Sequence, residues 1–169
     1  LLVGSNPNVL SLLWLSENHY IYRDSWGRAL INNRDLFVSK AIFRSFTGYA
    51  YAQLKKMEHL ACEGYMGQKR KALVGKFGYD TKNAAHCIRL LRMGIEFLND
   101  GYLYVERPDA PQLMEIKLGK WALEQVKAEA AAQFKRAEEA YDRCKLPRVP
   151  DAAKVNGLLV EMIRSFHSV

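Results

Sequence analysis

The sequence predicts an all-α protein, a single helical domain over residues 1–169 with roughly five to seven helices and at most one short strand or hairpin. Ala84, Ala85, Ile88, Leu91, Ile95 and Leu98 recur at helical spacing through Thr81–Asn99, and Val155, Leu158, Leu159, Met162 and Phe166 repeat the pattern near the end. Capping residues precede both runs, and Gly101 closes the first. Only Tyr102–Glu106 reads as a strand, and Pro108 cuts it short.

In chain order, Asn6-Pro7-Asn8 is a turn and capping cluster that starts a helix over Val9–Leu15. Tyr20, Tyr22 and Trp26 fall in a less regular stretch closed by Gly27, and Arg28–Asn33 suits a short helix. Ser39 is a fitting N-cap for a helix running to Cys62. Inside it, Ser45, Gly48 and Ala52 form a small-residue strip that would let another backbone approach. Gly64, Gly67, Gly75 and Gly78, with the basic run Lys69-Arg70-Lys71, make the next stretch hinge-like, with room for a short helical turn. Asp80 or Thr81 caps the helix over Thr81–Asn99, and Asn99-Asp100-Gly101 stops it. Asp109 caps a small helix with Pro111 in its first turn. A long helix from Trp121 to Arg143, rich in Ala, Glu, Lys and Gln, is broken by Leu146-Pro147-Arg148-Val149-Pro150, and Asp151 starts a last helix to Phe166. There is no internal repeat and no low-complexity tract.

Hydrophobic residues at 49% and charged residues at 25% exclude collagen-like and disordered classes. No apolar run approaches the roughly 18 residues of a membrane span. Val9–Leu15 lacks a basic flank, so it is not a secretory signal. Cys62, Cys87 and Cys144 are odd in number and form no C-x-x-C pair, the usage of a reducing, cytoplasmic setting in which thiols serve as small buried hydrophobes. The chain opens on Leu1 without Met, so a fragment or trimmed product is expected. Lys and Arg number 25 against 18 Asp and Glu, a net charge of +7 that favours anionic partners and is also within the range used for solubility.

The segment Gly78-Tyr79-Asp80-Thr81-Lys82 through Arg92 is the most informative. At about 100° per residue, Lys82, His86 and Arg89 fall within roughly a sixth of one helix circumference. Helix N-termini favour anions, so cations there gain nothing from the dipole. An external phosphate would reconcile them, with free N–H groups, the dipole, Lys82 and Arg89 converging on it and His86 donating a hydrogen bond. The same residues also suit a solvated basic face, with His86 against a neighbour or Asp80 paired with Lys82.

Tyr49 and Gln53 share a helix face at i, i+4 and suit either base stacking and hydrogen bonding or helix packing. Lys69-Arg70-Lys71 suits a nucleic-acid contact or a solvated loop. His59 and Cys62 lack the second pair that a metal site needs, so no metal ligand is assigned. No P-loop, G-x-S-x-G or G-x-G-x-x-G is present.

Asn6-Pro7-Asn8, Gly48-Tyr49-Ala50 with Gln53, Gly78-Tyr79-Asp80-Thr81-Lys82 with His86 and Arg89-Leu90-Leu91, and Trp121 with Glu124 occur in that order. This series, from Asn6 to about Tyr141, resembles the C-terminal helical part of predicted nucleotidyltransferases of the DNA polymerase β superfamily, a group seen in phage and in bacterial RNA-repair settings. The resemblance implies transfer of a nucleoside monophosphate from an NTP to a hydroxyl, with Mg²⁺ ions aligning the triphosphate and RNA among the expected partners. In that family a Gly-Ser turn and an Asp-x-Asp pair lie in an α/β palm domain ahead of the helices. Here no Asp-x-Asp follows Gly4-Ser5, and Asp24 and Asp35 stand alone, so the chain holds no catalytic residue of that kind and is expected to be inactive by itself. The resemblance gives Lys82, His86 and Arg89 to the triphosphate or an RNA backbone, and Tyr49 or Tyr79 to the base. The alternative expectation is a non-catalytic basic module that binds nucleic acid or a protein.

Overall fold

The computed structural model describes residues 1–58 and 67–167. Among the described residues there are eight α-helices, three short 3-10 turns and no strand. In order, α1 is Pro7–Leu10, α2 Ser25–Asn32, α3 Ala41–Glu58, α4 Gln68–Phe77, α5 Thr81–Asp100, α6 Ala110–Lys117, α7 Leu123–Arg143 and α8 Ala152–His167. The 3-10 turns are Ser11–Trp14, Glu17–His19 and Arg34–Phe37. The class is all-α as predicted, with one helix more than the predicted range. The basic run expected to be hinge-like is itself helical in α4: Lys, Arg, Ala and Leu are good helix formers and outweigh the roughly 1 kcal/mol that exposed Gly75 costs. Gly64 and the predicted end of the second long helix at Cys62 lie outside the described residues, as does the His59/Cys62 pair.

α5 is the centre of the molecule and packs on α3, α6 and α7. The predicted stripe is broader than one face, because Cys87, Leu90, Met93 and Phe97 are buried beside Ala84, Ile88, Leu91 and Leu98. A helix enclosed on three sides needs apolar residues nearly all round. Its ends are built as the sequence predicts. Buried Asp80 accepts from the N–H groups of Lys82 and Asn83, each at 3.1 Å. Gly101 then takes φ +68°, a left-handed stop that L side chains rarely adopt.

The strip Ser45, Gly48 and Ala52 does not receive a neighbouring helix. Gly48 and Ala52 are exposed and nothing stands within 4 Å of a methyl group placed on Gly48. Ile42, Phe46, Ala50 and Met57 face the core instead, since burying these larger side chains removes far more apolar surface from water. The close approach is supplied by α5, where a Cβ on Gly94 would lie 3.2 Å from Phe46 Cβ.

Tyr102–Glu106 is not a strand. Leu103 is buried and Tyr102 and Tyr104 are exposed, the alternation that suggested one, but there is no second strand for it to pair with among the described residues. Asp109 precedes α6 as predicted, yet makes no capping hydrogen bond. It accepts instead from Arg92 Nη1 and Arg107 Nε, each at 2.7 Å. Arg92 Nη2 donates to Glu129 at 2.6 Å, Gln133 donates to the same Glu129 oxygen at 2.9 Å, and Arg107 pairs with Glu96. This cluster fastens α5, the start of α6 and α7. Asp151 starts α8 by accepting from Ala153 N–H at 3.0 Å and Lys154 N–H at 3.2 Å. Val155 and Leu158 join the core, whereas Leu159 and Ile163 are exposed. The Phe166 side chain lies outside the described residues. No helix among the described residues is long and apolar enough to cross a membrane.

Because Phe46 Cβ is fixed to the α3 backbone, a side chain at position 94 has to push two helices apart. Gly94→Val is expected to destabilise the fold by about 1–3 kcal/mol in urea unfolding. Gly48→Ala is expected to be neutral or stabilising by up to about 1 kcal/mol. Equal effects of the two changes would refute this packing.

Candidate functional site

Lys82, His86 and Arg89 come together as their spacing predicts. With Ala85 they form the α5 side of a hollow of about 450 Å³. The other side is made by Arg107, Ala110, Leu113, Met114 and Lys117, so α6 and the segment before it supply both cations and an apolar wall. Among the described residues no carboxylate lines the hollow. Arg107 and Lys117 were not read as site residues, because their approach to α5 depends on the turn between the helices. Their only sequence signal is that each is basic.

Arg89 is half-buried, and no hydrogen bond or ion pair joins its guanidinium to another described residue. This is unlike Arg92, one turn on, whose donors reach Asp109, Gln112 and Glu129. Burial, and then the charge of Arg107, lower the pKa of Arg89. Arg107 is itself partly neutralised by Glu96 and Asp109. His86 carries the other open valence. Its Nε2 is covered by protein and has no hydrogen-bond partner. Burial first, then the charges of Arg89, Lys82 and Lys56, push its pKa down to about 4. The site therefore sets a neutral imidazole beside Lys82 and Arg89, for which no carboxylate partner is found among the described residues.

One expectation is corrected. The first N–H groups of α5 are not free for a ligand, because Asp80 accepts from those of Lys82 and Asn83. Its other oxygen accepts from Arg70 Nε at 2.8 Å and Asn83 Nδ2 at 3.2 Å. The predicted Asp80–Lys82 side-chain pairing is replaced by Arg70, one of the residues read as a loop contact. The open cations belong to the side of the helix and not to its end.

Tyr79 is not part of a base-binding wall. It is buried, and its hydroxyl donates to Trp121 O at 2.6 Å, with burial raising its pKa. Tyr49 and Gln53 do not line the hollow between α5 and α6. Tyr49 is exposed and Gln53 buried, both on α3, on the stripe that also carries Lys56.

A second polar cluster escaped sequence reading because its members are far apart in the chain. Ser16 Oγ lies 2.6 Å from His19 Nδ1 and bonds to Glu106, while His19 Nδ1 is 3.1 Å from Glu106. Serine and carboxylate meet the same ring nitrogen, so no proton relay passes through the imidazole, and the cluster is a surface hydrogen-bond knot. Among the described residues no group of three or more His, Cys, Asp and Glu is placed to hold a metal. The chain matches no family model, no curated protein and no solved structure.

The His86 environment sets a pH dependence. Between about pH 4 and 6.5 the unfolded chain binds a proton at His86 that the folded chain refuses, so stability falls as pH drops through this window. His86→Gln is expected to lose much of the decline in urea midpoint between pH 6.5 and 5. Asp109 and Glu129, held below their usual carboxylate range by Arg107 and Arg92, titrate below that interval. An unchanged decline in the variant would place the buried imidazole elsewhere.

Proposed function

We propose that the hollow between α5 and α6 binds the phosphates of a nucleotide. The observation that carries this reading is Arg89, a half-buried guanidinium beside Lys82 and Lys117 with no acceptor and no facing carboxylate among the described residues. A buried cation without a partner is unfavourable, and a ligand that brings the missing charge recovers that cost on binding. The hollow, at about 450 Å³, has the size of a small-molecule site, and Leu113 and Met114 offer an apolar wall against which a base or sugar would rest.

On the family resemblance, the ligand is an NTP accompanied by Mg²⁺, and the chain is the helical flank of a nucleotidyltransferase whose metal-binding carboxylates lie outside these 169 residues. A cytoplasmic setting accompanies this reading and is supported by the free thiols of Cys87 and Cys144, the former buried and pushed up to about 12.

Titration calorimetry of the chain with ATP and GTP tests the binding step directly. Arg89→Ala is expected to weaken binding roughly 10- to 150-fold, the loss of a charge-assisted contact of about 1.5–3 kcal/mol. Lys82→Ala, more exposed, is expected to lose less and to flatten the salt dependence. Affinities within about twofold of wild type for both variants, well short of that cost, would sink the assignment.

A further inference from the structure

We infer that the phosphate site continues along α3, so that the surface built by α3 and α5 takes a single-stranded polynucleotide, its phosphates on the cations of α5 and a base on Tyr49. This inference rests on the reading of the α5–α6 hollow as a phosphate site.

Two contacts fix how the helices lie. Phe46 stands against Gly94, and Lys56 is near enough to His86 for its charge to disfavour a proton there. α3 and α5 are therefore antiparallel, and the stretch from Tyr49 to Lys56 runs beside that from Gly94 to His86. On α5, Lys82, His86 and Arg89 are spaced i, i+4, i+7, and on α3 Tyr49 and Lys56 are likewise seven residues apart, with Gln53 buried between them. Each stripe spans about 10 Å of helix axis, about three phosphate steps at the 3.4 Å rise of a stacked strand.

Positive charge predominates along these stretches of α3 and α5. No Asp or Glu occurs from Ala41 to Met57 or from Thr81 to Ile95, although the whole chain carries 18 of them. Lys82 and Arg89 thus have no acidic neighbour along Thr81–Ile95, and on α3 the first acid after Tyr49 is Glu58 at the helix end, an excess of positive charge that suits a polyanion. Tyr49 lies partly exposed about two turns from Lys56, where its ring offers a face to a base without sequence preference. Single strands bind through this combination, a positively charged groove with an aromatic platform beside it. A duplex has its bases stacked inward and cannot use Tyr49.

Fluorescence anisotropy with labelled octauridylate, alongside calorimetry with UTP, tests the inference on the same chain. Octauridylate is expected to bind at least roughly tenfold more tightly than UTP, and an RNA duplex of equal length more weakly than the single strand. Tyr49→Ala is expected to weaken octauridylate binding roughly tenfold and leave UTP binding unchanged, with Tyr49→Phe retaining the wild-type affinity because the ring is kept. If UTP binds and responds to Arg89→Ala, but octauridylate gains nothing over UTP or Tyr49→Ala is silent, the extension along α3 is wrong and the hollow stands. If neither ligand binds, or neither responds to Arg89→Ala, the phosphate reading fails and this inference with it.

Discussion

The enclosure of α5 is the constraint on which the molecule depends. A helix of 20 residues surrounded by α3, α6 and α7 has little water to solvate its charges, so each polar side chain needs a partner or a path to the surface. The two halves of the helix meet this demand differently. Towards the C-terminal end, Arg92 and Glu96 are absorbed into the cluster with Arg107, Asp109 and Glu129. Towards the N-terminal end, Asp80 is satisfied by the backbone, Asn83 and Arg70, whereas Lys82, His86 and Arg89 have no carboxylate partner among the described residues. The candidate site is the portion of the central helix whose charge the fold does not neutralise.

The ion cluster and the site are neighbours for a physical reason. Removing Arg92 or Arg107 would leave carboxylates half-buried and unpaired, so these arginines are committed to holding α5, α6 and α7 together. Arg107 belongs to both regions, since it also borders the hollow. Its guanidinium, bonded to Glu96 and Asp109, adds a wall and a partly neutralised charge that still bears on Arg89. Arg89, one turn from Arg92 on the same helix, has none of these partners. Two arginines three positions apart therefore have opposite roles, one spent on the fold and one available to a ligand.

Much of this was legible in the sequence, and what was not has definite causes. Asp80 and Gly101 bound α5 because caps are local chemistry, read from a few consecutive residues. The joint placement of Lys82, His86 and Arg89 follows from helix geometry alone. Arg107 and Lys117 could not be assigned, because their position depends on how α6 folds back on α5. Tyr79 was misread for the opposite reason. The family resemblance assigned it to a base, but a tyrosine whose hydroxyl finds a buried carbonyl, that of Trp121, is a sound core residue. The strip of Ser45, Gly48 and Ala52 had the right spacing for helix contact, yet the opposite face of α3 is more apolar and took the core. The basic run at Lys69 was taken for a hinge because glycines surround it, although its own residues favour a helix.

Asp80 has one more consequence. By sealing the end of α5 it denies an anion the approach along the helix axis, where a compact ion is held by converging amides. What is left is contact from the side, through Lys82 and Arg89, cations set about two turns apart on long, separate stems. Such an array grips poorly at a point and well along a line. On the proposed reading it would sort anions by their extent, passing over the small and round in favour of those whose charges are strung out in sequence.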